Sequence, residues 1–232
     1  MASDYVTKAI GANEIDHGDA VHYRPEHELT DADLGYPGQA PDTMNDRLTF
    51  RSDGPWWDDM RVAVSSVRVQ GSQNIPDWDS WLGNLQLLWF DPGTMEQVFF
   101  ALQMPHGYLQ GSDLSPHVHM VPSTNAAVST HRVRWGLEYT WQSIGATFAA
   151  PTTIYAETTL VPDEALVANR QYLVAFPDIT GLVAGDVGVS SMLVCRLFRD
   201  AGNDDYTFDA GLLEFDIHYQ ILMPGSRQEY IQ

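Results

Sequence analysis

The sequence predicts an all-β chain, an antiparallel β-sandwich of jelly-roll type preceded by an extended N-terminal arm. Three observations lead there. From Trp57 onward, short runs rich in Val, Ile, Leu and aromatic residues recur between clusters of Gly, Pro, Asn and Asp, which is the texture of strands joined by turns. Two of the runs alternate apolar and polar residues with the period of a half-buried strand. No amphipathic helical pattern longer than about two turns competes with them.

Residues 1–55 form the predicted arm. They carry Asp16, Asp19, Glu26, Glu28, Asp31 and Asp33, turn formers in YPGQAPD, and no sustained periodicity. Tyr5, Ile10, Ile15, Tyr23 and Leu29 are scattered apolar side chains with which such an arm could anchor on a neighbouring subunit. Residues 56–232 form the predicted sandwich domain. Its candidate strands are MRVAVSSVRVQG, LQLLWFDPG, EQVFFALQMP, HVHMVP, HRVRWGLEYTW, TTIYAETTLVP, YLVAFPDITG, SSMLVCRLFRD and LLEFDIHYQILMPG. In HRVRWGLEYTW, Val133, Trp135, Leu137, Tyr139 and Trp141 fall on one face, which marks that face as core. In LLEFDIHYQI, Leu213, Phe215, Ile217, Tyr219 and Ile221 line the apolar face, leaving Glu214, Asp216, His218 and Gln220 opposite. DWDSW at 77–81 reads as a turn whose tryptophans pack inward, because Asp in a turn hydrogen-bonds its own backbone. AGNDDYTFDAG reads as a long loop between two strong strands.

Charge narrows the function classes. Twelve Lys plus Arg face 31 Asp plus Glu, a formal charge of -19, which disfavours direct binding to nucleic acid. Lys8 is the only lysine, and arginines suit bidentate pairing with carboxylates, so much of the basic charge is expected to be structural. The single cysteine, Cys195, sits in an apolar run as a small core residue and rules out an intrachain disulfide. No window has the roughly 18 uninterrupted apolar residues of a membrane span, and the N-terminus has no secretory pattern, so the expected setting is a cytosol. Seven tryptophans and ten tyrosines exceed the needs of one small core, so some are expected to be buried only on assembly. Trp56, Trp57 and His218, with the arm residues Tyr5, Ile10 and Tyr23, are the candidate interface residues.

SPHVHMVP at 115–122 is the most chemically suggestive stretch. On a strand, residues i and i+2 point the same way, so His117 and His119 present two imidazoles from one face, close enough to share a metal ion. Candidates for a third ligand are Glu138, His218, Asp216 and His106. In a homotrimer, copies of His117 and His119 converging on the three-fold axis would bind one structural ion. The alternative is an ordinary polar pair in a loop-to-strand corner framed by Pro116 and Pro122. Gly111, five residues and then His-Val-His also match a fragment of the cupin signature, which gives a metal-dependent enzyme as a minor reading. Ser123 or Thr124 stands where that family's glutamate would be, and its second motif is missing. No nucleophile elbow, P-loop, Rossmann fingerprint or Cys-x-x-Cys pair is present, and no catalytic residue is assigned. The acidic and aromatic clusters WWDD, DWDSW and GNDDY would suit sugar binding, or a carboxylate pair for glycoside hydrolysis.

PHVHMVPST, VRWGLEYTW, SSMLVCRLFRD and GLLEFDIHYQILMPGSRQEY, in this order, resemble a family of virion structural proteins of tailed bacteriophages. The resemblance covers roughly residues 56–232 and leaves the arm outside. It implies a structural protein that works as a homo-oligomer, expected to be a trimer. Head decoration is the leading role: such a cement protein would bind the major capsid protein or other virion proteins and stabilise the capsid. A tail, fibre or head-spike component that binds host glycans is the alternative within the virion. The implied location is the virion, assembled in the cytoplasm of the bacterial host. No cofactor is implied beyond the ion at His117 and His119.

Overall fold

The computed structural model describes residues 56–221 except 70, 72, 160–163 and 183–187. Tyr5, Ile10, Ile15, Tyr23, Leu29 and the whole predicted arm lie outside the described residues. Ten strands follow in chain order: β1 (Trp56–Ala63), β2 (Asp77–Ser80), β3 (Gln86–Phe90), β4 (Gln97–Gln103), β5 (Ser115–Pro122), β6 (Arg134–Gln142), β7 (Thr152–Glu157), β8 (Tyr172–Ala175), β9 (Met192–Arg199) and β10 (Ala210–Ile221). Among the described residues the one helical element is a 3-10 turn, Val64–Ser66.

Strand pairing shows the jelly roll directly. β6 pairs with β7, β5 with β8, β4 with β9 and β3 with β10, all antiparallel, as in one long hairpin whose turn lies between β6 and β7. That hairpin is rolled so that β10 also pairs with β5, and β9 with β6. Two sheets result, β3-β10-β5-β8 and β4-β9-β6-β7, the eight-stranded arrangement of a jelly roll. β1 and β2 are additions to this core, both on the first sheet. β2 extends it beyond β3, and β1 pairs with β10 from Glu214 to Ile221, past the end of β3.

The core lies between the sheets. Phe90 of β3 meets Trp135 of β6 edge-on at 4.9 Å between ring centroids, and Phe100 of β4 meets Phe215 of β10 at 4.8 Å. Such aromatic contacts add to the burial of the apolar area itself. Val133, Trp135, Leu137 and Trp141 line the core as the alternation predicts, with Tyr139 packed against it. Cys195 is buried there, and burial pushes its thiol pKa far above the ordinary value.

Three expectations need correction. In β10 the pairing with β5 shifts register between Leu212 and Glu214. This bulge puts fully buried Leu212 in the core in place of Leu213, which is half-buried. The stretch DWDS is a strand, β2, and it lies on the sheet edge with every residue exposed. Its Trp78 is 52 % exposed, while Trp81 is half-buried and donates from Nε1 to Asn169 Oδ1 at 2.7 Å, so neither packs inward as a core residue. Finally, the run MRVAVSSVRVQG breaks after Ala63 at the 3-10 turn, and Arg68 resumes pairing with Phe99 of β4 in the other sheet.

The acids of the β9–β10 loop bind arginines. Arg199, fully buried, donates from Nε and Nη2 to Asp204 at 2.8 and 3.0 Å, and to the carbonyls of Phe90, Phe208 and Tyr206 at 2.9, 2.8 and 2.5 Å. Asp200 takes Arg134 at 2.9 Å. Arg61, Arg134, Arg170, Arg196 and Arg199 all form carboxylate ion pairs, as the near absence of lysine suggests.

Candidate functional site

SPHVHMVP is the whole of β5, a central strand between β10 and β8. This corrects the corner reading: Pro116 and Pro122 stand within the strand near its two ends, and their carbonyls accept from Phe176 N at 2.9 Å and Asn169 N at 3.0 Å. Val118 and Met120 enter the core, so His117 and His119 face outward from the sheet. On β10 the inward set is Phe215, Ile217 and Tyr219, which turns Glu214, Asp216 and His218 to the same outer face.

Register then assembles the site. Asp216 lies opposite His117 and Glu214 opposite His119 across the β5–β10 ladder. On the far side of β10, Arg61 of β1 lies opposite Asp216 and Asp59 opposite His218. Directly opposed residues have Cβ atoms about 4.5–5.5 Å apart, so side chains from three strands meet.

The contacts are specific. Asp216 receives both histidines: His117 Nε2 is in close ion-pair contact with Oδ1, and His119 Nε2 is 3.4 Å from Oδ2. The close contact is poorly aligned for a hydrogen bond, so Oδ1 is a buried carboxylate oxygen whose one neighbouring donor, His117 Nε2, meets it off-axis. His117 and Asp216 are each 4 % exposed, whereas the His119 side chain is 22 % exposed. The His117 ring stacks edge-on against His119 at 5.1 Å and against His218 at 4.3 Å. His218 Nε2 pairs with Asp59 Oδ1 at 3.0 Å on the more open side. Arg61 donates from Nε and Nη2 to the two oxygens of Glu214, both at 2.7 Å, so its guanidinium is engaged beside Asp216 rather than on it. Burial works against a charge on His117, yet contact with Asp216, its charge, the Ser115 carbonyl and the charge of Asp59 outweigh it and hold the pKa above the ordinary histidine value.

Of the four candidates for a third ligand, the fold brings Asp216 to the pair. His218 sits beside His117 but pairs with Asp59. Glu138 is on β6 in the other sheet, bonded to Arg196 at 2.8 Å, and His106 lies between β4 and β5 with Nε2 2.9 Å from Ser190 Oγ. Sequence reasoning missed Arg61, Asp59 and Gln171, the last of which lies 2.8 Å from His119 Nδ1, because their proximity depends on strand order.

No protein-family model and no curated protein matches the chain. Among solved structures it is similar to the CBM22-1 and GH10 modules of an endo-1,4-β-D-xylanase of Clostridium thermocellum complexed with xylohexaose, at 9 % identity and a TM-score of 0.30 over 75 % of this chain and 27 % of that one. It is similar to CBM27-1 of Caldicellulosiruptor saccharolyticus in complex with mannohexaose, at 10 % identity and a TM-score of 0.33 over 68 % of this chain and 96 % of that one. It is also similar to TmCBM27, a mannan-recognising carbohydrate-binding module, at 14 % identity and a TM-score of 0.31 over 70 % and 88 % of the two chains. The chain spans about a quarter of the length of the xylanase structure. The jelly roll rests on strand order itself.

Proposed function

We propose that the chain is a structural component of a tailed-phage virion, a head decoration protein that works as a homo-oligomer and binds the outer face of the capsid. One observation carries the reading. The two strands added to the jelly roll hold three tryptophans open to solvent: Trp56 at 39 %, Trp57 at 57 % and Trp78 at 52 %. Large aromatic side chains exposed on one sheet are costly in a lone chain and typical of surfaces that close on a partner. The jelly roll and the charge of -19 suit such a role, and the resemblance of residues 56–232 to virion proteins is what suggests it.

The test is co-sedimentation with purified capsids, together with copy number by quantitative mass spectrometry of virions that carry the chain. Hundreds of copies per particle and binding lost in Trp57→Ala are expected. A handful of copies would move the chain to a tail, fibre or spike, and absence from virions would end the structural reading. A second reading has its own support: Trp78 stands between Asp77 and Asp79 on an exposed edge strand, a suitable stacking platform for a sugar. Glycan binding that disappears in Trp78→Ala, with folding intact, would favour it.

A further inference from the structure

We infer that His117, His119 and Asp216 hold one divalent transition-metal ion within a single chain, independently of any assembly role. The three side chains come from adjacent strands, and their ligand atoms all lie within 4.8 Å of one another. An ion with bonds of about 2.0–2.2 Å in tetrahedral geometry sets its donors roughly 3.3–3.6 Å apart. His119 Nε2 and Asp216 Oδ2 already stand at 3.4 Å. The His117 contact with Oδ1 is closer, so entry of the ion parts it and replaces a poorly aligned contact with a metal bond.

The surroundings are those of a ligand set. His117 Nδ1 faces the Ser115 carbonyl at 3.4 Å, a long contact that favours a proton on Nδ1, so that Nε2, which faces Asp216, is the nitrogen that gives up its proton to an entering ion. Gln171 Nε2 lies 2.8 Å from His119 Nδ1, an arrangement in which the ring nitrogen accepts. Turning the amide over brings Oε1 to the ring to accept the Nδ1 proton, and this flip leaves His119 Nε2 free to bind the ion. Metal-bound histidines regularly donate their second nitrogen to such a carbonyl or amide partner. Arg61, the nearest arginine across the ladder, is committed to Glu214, so it does not occupy the carboxylate that an ion would use.

Donor type sets the class of ion. Two imidazoles and one carboxylate suit Zn²⁺ or its first-row neighbours, whereas Ca²⁺ and Mg²⁺ need a shell of oxygens. Burial sets the stoichiometry. With His117 and Asp216 each 4 % exposed, an ion on their donor atoms lies beneath the surface of one chain, not on an axis between chains. The open position falls toward the more exposed His119 side.

The test uses the full chain, stripped with a chelator, titrated with Zn²⁺ by calorimetry and weighed by native mass spectrometry. A parallel Co²⁺ titration reads coordination from visible absorption. One ion per chain is expected, retained when any oligomer is dissociated. His119→Ala and Asp216→Asn are each expected to weaken binding ~100-fold or more, and Gln171→Ala by ~10-fold, the scale of a lost outer partner. His218→Ala serves as the nearby control and should leave affinity unchanged. Circular dichroism of each variant separates a lost ligand from a lost fold, and the partly exposed His119 is the substitution the fold tolerates best. Absence of stoichiometric Zn²⁺ binding, one ion per three chains, or unchanged affinity in a folded His119→Ala variant would overturn the inference.

Discussion

Removal of the Asp204 carboxylate leaves the most deeply buried charge of the described domain without a counter-ion. The side chains of Asp204 and Arg199 are both fully buried, and the carboxylate accepts from Arg199 Nε at 2.8 Å and Nη2 at 3.0 Å. It also accepts the backbone N–H groups of Arg134 at 3.0 Å and Tyr206 at 2.8 Å. In Asp204→Ala the guanidinium keeps its three carbonyl acceptors but loses its opposite charge. Breaking a buried pair on one side costs about 3–5 kcal/mol. With a urea m-value of about 2 kcal/mol/M, the unfolding midpoint falls by roughly 1.5–2.5 M. Equilibrium urea denaturation followed by tryptophan fluorescence reads this directly. Replacing both partners with apolar residues, Arg199→Met with Asp204→Leu, should recover part of the loss, because no charge is then stranded. A midpoint shift below about 0.5 M in the single variant, near 1 kcal/mol, would mean that Arg199 does not depend on Asp204 as its counter-ion. The pair matters beyond stability: it closes the loop between β9 and β10, and the register of β10 sets Asp216 opposite His117.

Three further outcomes are expected. Burial, with the charges of Asp91, Asp77 and Asp209, lifts the Glu96 carboxyl to about 7 against the opposing hydrogen bond from the Asp91 amide. Its proton is therefore held more tightly in the folded chain than in the unfolded one, so its stabilising contribution is complete below pH ~4.5 and disappears as pH rises through about 7. Glu96→Gln should flatten the stability profile across that window in denaturation at stepped pH, and an unchanged slope would count against it. Gly136→Ala places a Cβ inside the Phe198 ring that lies across it, so the ring must swing away, at a cost of about 1–3 kcal/mol read as a lowered Tm. A melting curve that matches the parent's would contradict this packing. Cys195 should resist a thiol reagent in the native chain and react at once in urea, since it is 3 % exposed in the core; rapid native labelling would oppose that placement.

What the sequence made legible was local. Alternation in β6 is unbroken, so Val133, Trp135, Leu137 and Trp141 could be assigned to the core by counting. In β10 the same count fails at Leu213, because a bulge inserts one residue and its effect on facing appears only against the partner strand. β2 escaped detection since DWDS has no apolar face to alternate: an edge strand with both faces wet leaves no hydrophobic signature. The prolines of β5 suggested a corner, though near the ends of a central strand they forfeit little of the ladder. At the site, the spacing of His117 and His119 was enough to place both rings on one face. The choice of Asp216 from four candidates was out of reach, because it depends on the pairing of strands almost 100 residues apart in sequence, and pairing register is set by the whole sheet.

The most direct test of the proposed assembly role is the native mass of the full chain in solution, measured beside Trp57→Ala and Trp78→Ala. A homo-oligomer is expected, of three chains, that loses mass or affinity when either exposed tryptophan is removed while the β-sheet circular dichroism signal persists. A wild-type chain that stays monomeric at every accessible concentration, with and without capsids, would contradict it.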